Sequence, residues 1–70
     1  MTAFYKQTTK SITDYHKIEQ LDGGNRKFGI FYSIDTKTKS SYYTGGYVFD
    51  TFREAERALY KHRPGSRRFA

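Results

Sequence analysis

Asp14, His16 and Ser33 are the residue types that build a carboxylate, imidazole and hydroxyl relay for nucleophilic chemistry. Types alone do not make such a site. Nothing around them resembles a nucleophile elbow, a phosphate-binding loop or a pair of carboxylates at working distance. The absence of cysteine excludes thiol nucleophiles, thiolate zinc sites and disulfides, and two histidines alone do not furnish a metal shell. His16 reads as a strand histidine at the edge of a sheet, and His62 as a positive charge at the end of a helix. A non-enzymatic protein without cofactor or metal is expected.

The residues better suited to a function are aromatic and basic. Seven tyrosines and six phenylalanines stand against only seven Val, Ile and Leu, so the core must be largely aromatic. Tyrosine hydroxyls need water or a partner, which places several of these rings half-exposed at the core edge or on a binding face. Thirteen Lys and Arg against seven Asp and Glu give a net charge of +6, which attracts polyanions or acidic protein surfaces. A chain of 70 residues makes one domain, with too little interior for a deep cleft. No apolar run is long enough for a signal segment or a membrane span, and the expected setting is soluble and cytoplasmic.

The elements that must position these side chains are legible. Thr51 and Glu54 match a capping box, and Asp50 adds negative charge where the helix dipole is positive. Phe52, Ala55, Ala58, Leu59 and His62 fall on one helical face, and Pro64-Gly65 stops the helix near His62. Lys27 to Asp35 alternates so that Phe28, Ile30, Tyr32 and Ile34 share one side, the period of a half-buried strand. Asp-Gly-Gly-Asn turn chemistry between Leu21 and Lys27 points back to a strand near Asp14 to Leu21, with Ile18 inward. Thr36 to Ser40 is a polar link to a third strand beginning near Ser41.

The fold class is α+β, in the order β-β-β-α: a three-stranded antiparallel sheet packed on one C-terminal helix. A fourth strand arises if Gly45-Gly46 is a hairpin turn that makes Tyr47 to Phe49 separate. The same pair also reads as a bulge in the third strand, or as a place where a ligand backbone approaches the sheet. Residues 13–63 form this domain. Residues 1–12 are an N-terminal arm or an extra edge strand, and 64–70 a basic tail. A homodimer through an edge strand near Thr13 or at Tyr47 to Phe49 is the alternative to a monomer.

A sheet covered by a helix on one side leaves its other face open. That face holds Tyr15, Lys17, Glu19, Lys27, Phe31, Ser33 and one of Tyr42 or Tyr43, rimmed by Arg26, Lys37 and Lys39. Rings stack on bases while ammonium and guanidinium groups neutralise phosphates, so this mixture suits nucleic acid. The tail adds Arg63, Arg67 and Arg68, with Phe69 as an anchor.

Three strands, a Gly-Gly, then Phe49, Thr51, Glu54-Ala55 and Ala58-Leu59 resemble the small DNA-binding domains at the N-terminus of tyrosine-recombinase integrases, of the ethylene-response-factor-like fold. The chain departs from that pattern by placing Tyr47-Val48 between the glycines and Phe49. The resemblance covers roughly residues 13 to 62 and implies a sheet face laid in the DNA major groove, with Lys17, Lys27, Phe31, Lys37, Lys39 and Tyr43 as contacts. Arg26-Lys27-Phe28-Gly29 resembles the start of the RNA-recognition-motif signature. Ser33 stands where that signature needs an aromatic, and the chain is too short for its two helices. The expected partner is therefore nucleic acid, double-stranded DNA first and RNA second. The rival is an acidic protein or ribonucleoprotein surface, docked in the style of phage-encoded inhibitors such as anti-CRISPR proteins, with Tyr43 and Tyr47 as anchors.

Overall fold

A computed structural model describes residues 1–21, 27–34 and 42–70, over 42–47 the backbone alone. The strands are β1 (Thr2–Thr9), β2 (Ile12–Gln20), β3 (Phe28–Tyr32), β4 (Tyr42–Phe49) and β5 (Arg67–Arg68), and one helix, α1 (Phe52–His62), precedes β5. All pair antiparallel in one sheet of order β4-β3-β2-β1-β5. The sheet thus has five strands rather than three or four. Both additions come from the chain ends.

The N-terminal residues are an extra strand rather than a loose arm: β1 pairs with β2 along its whole length, from Thr2 opposite Glu19 to Thr9 opposite Ile12, and on its outer side β5 pairs only with Tyr5 and Lys6. Thr13, opposite Thr8, is consequently not an open edge. Lys10-Ser11 closes this hairpin, with Lys10 at φ 54°, the left-handed backbone on which tight turns depend. The β2–β3 hairpin expected from the turn residues is present, closed by the Leu21 N–H donating to the Lys27 carbonyl at 2.7 Å.

β4 runs continuously through the glycine pair, so Gly45-Gly46 is not a hairpin turn. The pairing shifts there. Between Phe31 opposite Tyr43 and Gly29 opposite Val48, β3 has only Ile30, whereas β4 has Thr44, Gly45, Gly46 and Tyr47. A register shift at the glycine pair within an unbroken strand agrees with the bulge reading of the pair.

α1 begins as the capping residues dictate, with the Glu54 N–H donating to Thr51 Oγ1 at 3.1 Å. Its buried face presents Ala55 and Leu59, which meet Ala3, Tyr5, Ile18 and Ile30, with Phe28, Tyr32, Phe49, Phe52 and Ala58 packed around them. Ile18 is inward, as its alternation requires. His62, expected on this face, is exposed. After His62 the Arg63 N–H returns to the Leu59 carbonyl at 2.8 Å, and Gly65 at φ 86° lets the chain reverse. The tail then lies along β1 as β5: Arg68 faces Tyr5, Arg67 faces Lys6, and the Phe69 N–H donates to the Phe4 carbonyl at 2.9 Å. Among the described residues no helix is long and apolar enough to cross a membrane.

Candidate nucleic-acid interface

Side chains alternate across each strand, so the register decides which of them share the face turned away from α1. Ala3, Tyr5, Gln7, His16, Ile18, Ile30 and Tyr32 go to the helix side. The other set is continuous across the sheet. One row runs Phe4, Lys17, Phe31, and ends in register at Tyr43; the next runs Arg67, Lys6, Tyr15. Phe69 joins these rows, its ring 6.4 Å from that of Phe4 and 5.9 Å from that of Tyr15 in an edge-on contact.

Tyr15, Lys17 and Phe31 therefore occupy the face expected of them, together with Glu19. Their roles differ. The Lys17 ammonium sits 4.8 Å over the Phe31 ring and 3.3 Å from the Glu19 carboxylate, leaving its side chain 15% exposed. Phe31 is itself buried, so its ring is part of the sheet's filling rather than a free stacking surface. Tyr15 is half-buried, Phe69 is 57% exposed, and Lys6 and Arg67 are exposed.

Other expected residues go elsewhere. Lys27 pairs with Asp50 at 3.6 Å, beside the start of α1. Arg63 lies on the helix side with its guanidinium 4.1 Å over the Tyr32 ring, and Arg68 lies 5.5 Å over the Phe52 ring. Neither forms part of the open face. Arg26, Lys37 and Lys39 lie outside the described residues, as do the side chains of Tyr43 and Tyr47. Sequence reasoning missed Phe4 and Lys6, because the first strand carries large rings on both faces and its alternation separates no apolar side from a polar one.

Asp14, His16 and Ser33 do not assemble a relay. His16 Nδ1 accepts the Ser33 backbone N–H at 2.9 Å, and Nε2 meets Gln7 Oε1 at 3.0 Å, which fixes the neutral tautomer with its proton on Nε2. Gln7 in turn donates through Nε2 to the Pro64 carbonyl at 3.0 Å. The imidazole is fully buried in the second strand of an interior hairpin, not at a sheet edge. Burial first, and then the Arg63 guanidinium, push its pKa below the ordinary value, against an upward pull from Asp14. The chain Ser33, His16, Gln7, Pro64 ties three strands' worth of backbone to the turn after α1.

No family model, curated protein or solved structure matches the chain. The helix offers the contrasting surface. Arg53, Arg57 and Lys61 follow one another at four-residue spacing on its exposed side, with Tyr60 near them 40% exposed. Tyr60 is partly engaged, edge-on to Tyr5 at 5.9 Å. Among the described residues no group of His, Cys, Asp and Glu is placed to hold a metal ion.

Proposed function

We propose that the protein is a small, non-enzymatic nucleic-acid-binding module that uses the sheet face turned away from α1. The supporting observation is the joining of Phe4, Tyr15 and Phe69 on that face with the exposed cations Lys6 and Arg67 immediately beside them. Rings of this kind stack bases without regard to sequence, and the cations release the counterions of the phosphate chain. The net charge of +6 draws the same ligand in from a distance.

The breadth of the sheet bears on which nucleic acid. Five strands at about 4.8 Å spacing extend roughly 19 Å, whereas a major groove is about 12 Å wide. A three-stranded sheet enters such a groove; this one meets a duplex only in part. A single strand laid across the face has no such restriction, so the geometry favours single-stranded nucleic acid, with duplex DNA as the second ligand.

Titration of the labelled protein with a single-stranded oligonucleotide, followed by NMR, tests the face directly. The amide signals of Phe4, Lys6, Tyr15 and Lys17 are expected to move while those of Arg53, Arg57 and Lys61 stay in place. Movement confined to the helix signals, or none at all, contradicts the reading and transfers the charge to the service of an acidic protein partner.

A further inference from the structure

Lys6 and Arg67 are direct cross-strand partners on the open face. Like charges placed opposite each other repel, and a sheet normally offsets them with an acid on the next strand or along the same one. Here none is supplied. Tyr15 stands beyond Lys6 on β2, and neither cation forms an ion pair among the described residues. Arg68, next in the chain, turns to the helix side, so its charge stands apart from the pair.

The two cations also line one shallow concavity with Thr8 and Gly65. Thr8 brings a hydroxyl, loosely engaged with that of Thr13 at 3.4 Å. Gly65 sits there because its φ of 86° suits no other residue well, and the place where a Cβ would stand is open space. The lining thus combines two positive charges without an ion pair among the described residues, a hydroxyl and a glycine. That is the chemistry of an oxyanion site, in which guanidinium forks and ammonium groups share the oxygens of a tetrahedral anion.

We propose that this concavity binds a phosphate group through Lys6, Arg67 and Thr8, and that in the bound state it holds one backbone phosphate of the strand lying on the sheet. The identity of that phosphate as a nucleic-acid diester rests on the function proposed above; the anion site itself does not. Tyr15 and Phe69 lie beside it, so a base next to the anchored phosphate meets a ring, and the site sets the register of the strand on the face.

The pair has an unusual double signature, because removing it relieves repulsion in the free protein and abolishes attraction for the ligand. The experiment follows thermal unfolding of the full chain in chloride and in inorganic phosphate at equal ionic strength, for wild type and for Lys6→Gln with Arg67→Gln. Phosphate is expected to raise the wild-type midpoint and to leave that of the double variant where chloride leaves it, while in dilute chloride the double variant melts above wild type. Equal stabilisation of both chains by phosphate is a general effect of an excluded salt and overturns the site. A second arm measures a short single-stranded oligonucleotide, whose affinity the double variant is expected to lower at least tenfold. Oligonucleotide binding undiminished by the substitutions overturns this site and leaves the binding function standing. Phosphate stabilisation specific to wild type, without oligonucleotide binding, keeps the anion site and retires the nucleic-acid function.

Discussion

The Tyr5 hydroxyl donates to the Glu56 carboxylate across 2.5 Å, joining a fully buried ring on β1 to the half-buried Glu56 of α1. Burial, followed by the bond and the charge of Glu56, raises the phenol far above its ordinary range, so the proton stays on the tyrosine oxygen at any working pH. This contact ties α1, which packs on β2, β3 and β4, to β1, the strand that carries Phe4 and Lys6 on its other side.

Tyr5→Phe keeps the ring and removes the donor. A hydrogen bond to a charged acceptor contributes about 1.5–3 kcal/mol, and the partial exposure of Glu56 argues for the lower end. In a domain this small a loss of about 1.5 kcal/mol lowers Tm by about 6–12 °C. Calorimetry at neutral pH measures it, and an unchanged Tm would mean that water replaces the bond without loss.

His16 makes stability depend on pH. Its folded-state pKa lies below the unfolded value of 6.5, so the unfolded chain takes up the proton first. The contribution of the neutral imidazole is complete above about pH 6.5 and is lost as pH falls below it. The urea midpoint of wild type is expected to be lower at pH 5.0 than at pH 7.5, with a smaller difference in His16→Gln. Equal midpoints for wild type at the two values would contradict the buried neutral tautomer. Arg63→Ala removes one of the causes, so the His16 ring signal in that variant should titrate at higher pH.

Leu59 is fully buried against the sheet, whereas Lys61 is exposed two residues later. Leu59→Ala is expected to cost about 2–5 kcal/mol. For 70 residues the whole stability is roughly 4–10 kcal/mol, so this variant should be near unfolding at 37 °C. Lys61→Ala should stay within about 0.5 kcal/mol of wild type. Similar circular-dichroism melts for the two would mean that α1 is not seated as described.

Lys10 offers a gain. A non-glycine residue in the left-handed region costs about 1–2 kcal/mol, part of which glycine recovers. Lys10→Gly is expected to raise Tm by several degrees, and a fall would show that the Lys10 side chain supports the turn.

How far the sequence revealed all this depends on whether the signal was local. α1 was legible at both ends because Thr51, Glu54 and Pro64-Gly65 act on their own neighbours, and β2 and β3 were legible because Ile18, Phe28, Ile30 and Tyr32 alternate. β1 was not, since Phe4 and Tyr5 put large rings on both faces while its inward positions include small Ala3 and polar Gln7. Such a strand has no apolar side to read. β5 is only two arginines long, and nothing but pairing with β1 makes it a strand. His16 shares the parity of Ile18, a clue to its burial, yet its partners Gln7, Ser33 and the turn at Pro64 are brought near only by the assembled sheet. The open face was accordingly anticipated at Tyr15, Lys17 and Phe31, with Arg67 and Phe69 named only as parts of a tail, and Phe4 and Lys6 on β1 were missed.

The proposed binding of single-stranded nucleic acid to that face is open to one direct measurement. Fluorescence anisotropy of a labelled oligonucleotide, at about 50 and 200 mM salt, tests it with wild type, Tyr15→Ala with Phe69→Ala, and Arg53→Ala with Arg57→Ala. Wild type is expected to bind and to weaken steeply with salt, as phosphate contacts require. The aromatic variant should lose about 1–3 kcal/mol for each base no longer stacked, roughly five- to 160-fold in affinity per base, while the helix variant loses far less. No binding at the lower salt, or loss confined to the helix variant, would contradict the central claim.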